Sequence, residues 1–204
     1  MQLHPGDWVV ASGRFRHGKT ATVTRMAYRL YRQGWPVYAN YDVRFAQRLT
    51  KLEEVYECRD CVLLLDELMV LVDSRKSASA QQVEFTQIGA FFGKRGVIIL
   101  GTVSHLSFVD VRIRTYMSLY LQCQKWYVRR APWCRVSVLW PVVWPSGAQT
   151  FTRLGNYAYP LASSGGLYDT LDEDVYLDTA PTERQRRGRR GGGSQGVVVD
   201  GVSL

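Results

Sequence analysis

Gly13-Arg14-Phe15-Arg16-His17-Gly18-Lys19-Thr20 has the spacing G-x-x-x-x-G-K-T, the pattern of a phosphate-binding P-loop. The chemistry calls for these residue types. Gly13 and Gly18 let the backbone turn where a Cβ would clash, and the N–H groups of the loop then converge into an anion nest. Lys19 adds a positive charge within reach of β- and γ-phosphates. The Thr20 hydroxyl is a hard oxygen of the right size for a Mg²⁺ that keeps most of its waters. The ligand this loop predicts is ATP with Mg²⁺, bound along residues 13 to 20.

A second constellation follows a run of aliphatics. In Cys61-Val62-Leu63-Leu64-Leu65-Asp66-Glu67, two acids leave the end of an apolar strand, as in a Walker B motif. Asp66 is the expected Mg²⁺ ligand, through water, and Glu67 the general base that polarises the attacking water. Ser104 and His105 follow the apolar run Val97-Ile98-Ile99-Leu100. They are candidates for sensing the γ-phosphate, with simple loop capping as the alternative. Arg112 and Arg114 are candidates for an arginine finger offered to a neighbouring subunit's nucleotide, with a plain solvated face as the alternative.

These residues need elements to hold them. A P-loop sits between a strand and a helix whose N-terminus faces the phosphates. Trp8-Val9-Val10-Ala11 suits a buried strand. After it, Val23, Met26, Ala27, Leu30 and Tyr31 share one face of a helix that stops at Gly34. Residues 36–40 read as a second strand and complete a βαβ unit, which favours a mainly parallel sheet flanked by helices, an α/β fold. Residues 45–55 and 81–92 are predicted helical. Residues 62–65, 97–102 and 117–123 are predicted strands, the first of them buried on both faces. A carboxyl-end position for the acids is where open α/β sheets hold ligands. The polar segment 73–79, with Arg75 and Lys76, is either a plain surface loop or an arm that reaches a polyanion.

From Trp126 the pattern changes. Trp126, Tyr127, Trp133, Trp140 and Trp144 mix with β-branched residues, and Pro145-Ser146-Gly147 marks a turn. The reading is an antiparallel β-rich extension over 126–160 that caps the sheet. Its aromatics are assigned to packing; stacking on bases with help from Arg129, Arg130 and Arg135 is the alternative.

The 204 residues suffice for one well-buried domain, taken as 1–178. The Arg/Gly-rich tail, 179–204, is expected to be disordered. The formal net charge is +8, and such a surplus suits nucleic acid or an acidic membrane face; solubility alone is the competing explanation. Cys58-x-x-Cys61 lacks a partner C-x-x-C, which argues against zinc. There is no secretory signal and no apolar run of about 18 residues, so the expected setting is inside a cell.

Together, the P-loop, the Leu-Leu-Leu-Asp-Glu strand, and the strand in Lys94-Arg95-Gly96-Val97-Ile98-Ile99-Leu100-Gly101-Thr102 followed by Asp110-Val111-Arg112-Ile113-Arg114 resemble the FtsK/HerA superfamily of RecA-like P-loop ATPases. Within it the chain resembles the small genome-packaging ATPases of tailless, membrane-containing icosahedral viruses, with Leu167-Tyr168-Asp169-Thr170 matching that group's Tyr-Asp-Thr segment. The resemblance covers roughly residues 5 to 175. It implies a RecA-like fold and a self-assembled ring, expected to be hexameric, around double-stranded DNA. It also implies ATP and Mg²⁺ as cofactors, an arginine in trans, and a place in the host cytoplasm or at a virion vertex beside capsid or viral membrane proteins. The superfamily commonly carries Gln where this chain has His105 next to Ser104. The zonula-occludens-toxin-like assembly ATPases of filamentous phages are the related alternative, acting on protein at a membrane. A small-molecule kinase is a third class, for which no lid signature is present.

Overall fold

A computed structural model describes residues 2–68, 90–109, 114–144 and 148–168. Eight strands form one sheet: β1 (Trp8–Ser12), β2 (Val37–Ala39), β3 (Gln47–Arg48), β4 (Val62–Leu65), β5 (Ile98–Val103), β6 (Met117–Val128), β7 (Ala131–Val143) and β8 (Gln149–Pro160). Their order across the sheet is β3-β2-β4-β5-β1-β6-β7-β8. Every pairing from β3 to β6 is parallel, and β6-β7 and β7-β8 are antiparallel.

The aliphatic runs explain the centre. Every residue of β1, β4 and β5 is buried, as expected for strands covered on both faces. On one face lies helix α1 (Lys19–Arg32), which presses Ala21, Val23, Ala27 and Leu30 onto Val9, Val62, Leu64 and Leu121. On the other face Trp8, Leu63 and Ile99 pack with Phe92 and Val55. The predicted face of α1 is shifted slightly: Ala21 and Thr24 are buried, while Tyr31 is 43% exposed and its ring packs against Phe45.

Two expectations are corrected. Residues 45–55 are not one helix: β3 takes Gln47–Arg48 and the short α2 takes Leu52–Glu57. The reason is local. Glu54 Oε2 accepts from the backbone N–H groups of Thr50 and Lys51, which starts the helix there and leaves the preceding residues free to pair with β2. The antiparallel extension, in turn, does not cap the sheet; it continues it in plane. It also begins earlier than 126, because β6 pairs with β1 through Met117 to Gln122 and then runs on to Val128. The helix flanks are sparser than foreseen among the described residues: α1, α2 and a helical stretch over 90–94. Most of the predicted helix 81–92, the segment 73–79, the turn 145–147 and the tail 179–204 lie outside the described residues.

The β6–β7 connection is a two-residue turn with Arg129 at φ 47° and Arg130 at φ 67°. Such turns favour Asn-Gly, and a left-handed residue other than Gly costs roughly 1–2 kcal/mol. No described helix is long and apolar enough to cross a membrane.

Candidate nucleotide site

The site forms at the carboxyl ends of β1, β4 and β5. Gly18, at φ 86°, ends the loop and caps α1 with no side-chain hydrogen bond, and the first turn of α1 holds no acid. The N–H groups of that turn are left for an anion. Lys19 is buried, at 8% exposure, in the first turn. Arg14, Phe15 and Arg16 form the exposed crest of the loop, with Arg16 stacked on the Phe15 ring at 5.3 Å. The His17 N–H donates to Arg14 O, which closes the turn.

The two glycines have a role that the motif alone does not reveal. A Cβ on Gly13 would lie 2.4 Å from the Cys123 carbonyl oxygen. One on Gly18 would lie 2.8 Å from Leu161 and 2.9 Å from the Cys134 sulfur. The P-loop therefore rests directly on the antiparallel strands. Cys134 donates its S–H to His17 O at 3.3 Å, and the Thr22 hydroxyl bridges Gly18 O at 2.7 Å and the Tyr159 hydroxyl at 2.8 Å. The neighbouring Cys123 thiol holds the Cys134 thiol below the ordinary thiol value, and the same proximity together with burial pushes Cys123 up.

Although β5 separates the strand before the P-loop from the strand before Asp66, the start of α1 brings the two motifs together. Thr20 Oγ1 donates to Asp66 Oδ1 at 3.0 Å. Thr102, at the end of β5, donates to the same oxygen at 2.6 Å and accepts from the Glu67 N–H at 2.9 Å. Asn40, at the end of β2, clamps the Asp66 backbone, giving its Nδ2–H to Asp66 O at 3.0 Å and accepting the Asp66 N–H at 2.8 Å. Glu67 sits at φ 53°, a left-handed turn that such support holds in place. Its Oε1 accepts from Ser104 Oγ at 3.0 Å. His105 instead caps the short 3₁₀ turn Leu106–Phe108, with Nδ1 accepting from the Ser107 N–H. Arg114 Nε donates to Val109 O at 2.8 Å. Arg112 lies outside the described residues.

Two tyrosines close the rear of the site. Tyr41 is buried and shares a hydrogen bond with Thr24 at 2.7 Å. Tyr168 meets it edge to face, with centroids 6.1 Å apart, and is held there by a bridge to Val43. Burial, reinforced by the Asp66 charge, pushes Tyr168 up to about 12 and Tyr41 well above the ordinary phenol value. Asp169 and Thr170, the rest of the Tyr-Asp-Thr segment, lie outside the described residues.

The donor set fits Mg²⁺. Thr20 and Asp66 offer one hydroxyl and one carboxylate. No group of three or more His, Cys, Asp or Glu is gathered among the described residues for a metal. One or two protein oxygens completed by substrate phosphates is how Mg²⁺ is usually held beside nucleotides. The buried Cys58 and Cys61 thiols are thus not part of any such cluster.

Motif spacing identified Lys19, Thr20, Asp66 and Glu67 as candidates. Asn40, Thr102, Tyr41 and Thr22 were not foreseen. Each is a polar residue at a strand end or on the helix, and a polar residue just past an apolar run was the one signal available for Asn40 and Thr102.

No protein-family model matches the chain, and no curated protein matches it. Among solved structures it is similar to the flagellar accessory protein FlaH from Methanocaldococcus jannaschii, with a TM-score of 0.54 at 13% identity, over 78% of this chain and 86% of that one. At that identity the likeness speaks for the fold alone, and the fold is RecA-like.

Proposed function

We propose that the chain is a Mg²⁺-dependent ATPase that moves double-stranded DNA, as a ring-forming motor that packages a viral genome. The observation that carries the hydrolytic part is the direct contact between Thr20 and Asp66, with Glu67 held beside them by Ser104 and Thr102. Bound MgATP would supply the phosphoryl group and neutralise its developing charge. Lys19 and the N-terminus of α1 would bind the phosphates, and Thr20 and Asp66 would hold the ion. Glu67 takes the proton of the attacking water, and the Ser104 hydrogen bond fixes which carboxylate oxygen remains free to do so. The DNA and packaging parts rest on the sequence resemblance and on the basic surplus. Arg112 or Arg114 would complete a neighbour's site.

The test is ATP hydrolysis with and without double-stranded DNA. Several-fold stimulation is expected. Lys19→Ala should abolish nucleotide binding. Glu67→Gln should bind ATP normally and hydrolyse it at least about 100-fold more slowly. A wild-type protein that binds no ATP would overturn the reading.

A second reading, an assembly ATPase acting on protein, has one observation in its favour. Trp140, Trp144 and Leu154 stand more than half exposed, a set of apolar side chains of the kind that protein partners cover. Robust hydrolysis indifferent to DNA would favour it.

A further inference from the structure

The antiparallel extension has an unusual charge pattern. From Val111 to Tyr168 the sequence contains no Asp or Glu, while β6 to β8 and the β6–β7 turn carry Lys125, Arg129, Arg130, Arg135 and Arg153. None of these five cations forms an ion pair with a described residue. Two of them lie against aromatic rings instead: Lys125 over Tyr127 at 5.2 Å and Arg135 over Trp126 at 5.2 Å.

Their placement is as telling as their number. β6 pairs with β1 up to Gln122 opposite Ser12, and Cys123 to Val128 run on past the end of β1. The β6–β7 tip therefore stands roughly 20 Å beyond the sheet's carboxyl edge, at about 3.4 Å per residue, on the side where the P-loop lies. Arg129 and Arg130 occupy the turn itself, both exposed and both in the left-handed region. Turn chemistry asks for Asn-Gly at these positions; the chain instead accepts backbone strain to present two guanidinium groups there. On the face away from α1, the register places Gln122, Gln124, Arg135, Ser137, Arg153 and Asn156 together. All of them are hydrogen-bond donors, and none is acidic.

We propose that this extension is the docking surface for duplex DNA, with Arg129 and Arg130 at the tip binding backbone phosphates and the donor-rich face behind them following the same strand of DNA. The assignment rests on the DNA-motor reading and gives it a location. Arginine suits phosphate, since its planar fork pairs two oxygens at once. Amide and hydroxyl donors supply the positioning contacts typical of backbone recognition. The complete lack of carboxylates removes the repulsion that a polyanion would otherwise meet. The same strands carry the P-loop: Gly13 abuts the Cys123 carbonyl, Cys134 donates to His17 O, and Tyr159 holds Thr22. DNA seated on the tip thus touches the elements on which the nucleotide loop rests, which gives DNA stimulation of hydrolysis a physical route.

The turn supplies its own control. Arg129→Asn with Arg130→Gly installs the residues that this turn prefers, so the variant should melt no lower than wild type. DNA affinity should fall at least tenfold at about 100 mM salt, and the slope of log K against log salt should shrink by about 2, near 0.9 for each phosphate no longer neutralised. DNA stimulation of ATP hydrolysis should vanish while the basal rate stays. Arg129→Lys with Arg130→Lys should keep most of the affinity. If wild type binds DNA and the Asn-Gly variant binds equally well with the same slope, the location is wrong and the motor reading stands. If wild type ignores DNA at low salt but binds phosphatidylserine vesicles through the tip, both this inference and the motor reading fail, and the surface is a membrane contact.

Discussion

The parallel and antiparallel parts of the sheet share β6 but solve opposite problems. In β1, β4 and β5 every side chain is buried, and the polar residues among them, Ser12 and Thr102, come in the last two positions of their strands. All the chemistry is thereby pushed to the carboxyl edge, where Asp66, Glu67, Thr102 and Lys19 meet. In β8 only Tyr159 is buried, and polar or charged groups can stand anywhere along the strand. One part gives a rigid floor that concentrates a few groups at one line; the other gives an area. Besides the β1–β6 ladder, the two touch through a band formed by Cys123, Cys134, Val136 and Tyr159, which packs with Ala21 and Val23 of α1. That band lies under the P-loop.

The sharpest way to break this contrast is to truncate one leucine in each part. Leu64 is fully buried between Leu100 and the α1 face, whereas Leu154 is 56% exposed at a bulge. Leu64→Ala should cost about 2–5 kcal/mol through lost burial and a cavity. Leu154→Ala should stay within about 0.5 kcal/mol. Urea unfolding of both variants measures this, and equal losses would mean that the extension is as much core as the parallel strands are.

Glycines give the next comparison. A Cβ at Gly13 meets a backbone oxygen at 2.4 Å, whereas at Gly155 nothing lies within 4 Å. Gly13→Ala must push the P-loop off β6. It should cost roughly 1–3 kcal/mol as overpacking and weaken ATP binding with it. Gly155→Ala should be neutral or stabilise by about 0.5 kcal/mol, because strand glycine carries an entropic cost. Thermal melts with titrated ATP read both. Intact ATP affinity in Gly13→Ala would show that the loop does not depend on its seat on the extension.

The contrast also explains what was legible in the sequence. Lys19, Thr20, Asp66 and Glu67 could be found because their chemistry is tied to local spacing beside long aliphatic runs, and those runs could come only from buried strands. Thr102 and Asn40 could not. Each reaches Asp66 from another strand, and a threonine or asparagine at a strand end looks the same whether it supports a carboxylate or simply meets water. The break between β3 and α2 was hidden because residues 45–57 carry no clean period of either kind. In the extension, alternation revealed antiparallel strands but not their place, since a hairpin lying over a sheet and one continuing it show the same alternation. What decided the matter was the pairing of Met117 to Gln122 with β1, a long-range pairing with no local sign.

A finer comparison concerns the environment of Asp66. Tyr168 is buried beside Tyr41 with its phenol pushed up to about 12, first by burial and then by the Asp66 charge. A phenol ionises near 10 in the unfolded chain. The folded state therefore holds this proton more tightly, and its contribution is intact below pH 10. It is lost as pH rises from 10 through 12, because the unfolded chain gives up the proton first. At pH 11 the loss amounts to about 1.4 kcal/mol, one pKa unit's worth. The measure is the difference between wild type and Tyr168→Phe in unfolding free energy at pH 9 and pH 11, which cancels the contributions of other tyrosines. Wild type should lose this extra amount and the Phe variant should not. In an Asp66→Asn background the gap should narrow, since the charge that raises Tyr168 is gone. A gap unchanged by Asp66→Asn would place Tyr168 outside the field of the carboxylate and confine its role to packing on Tyr41.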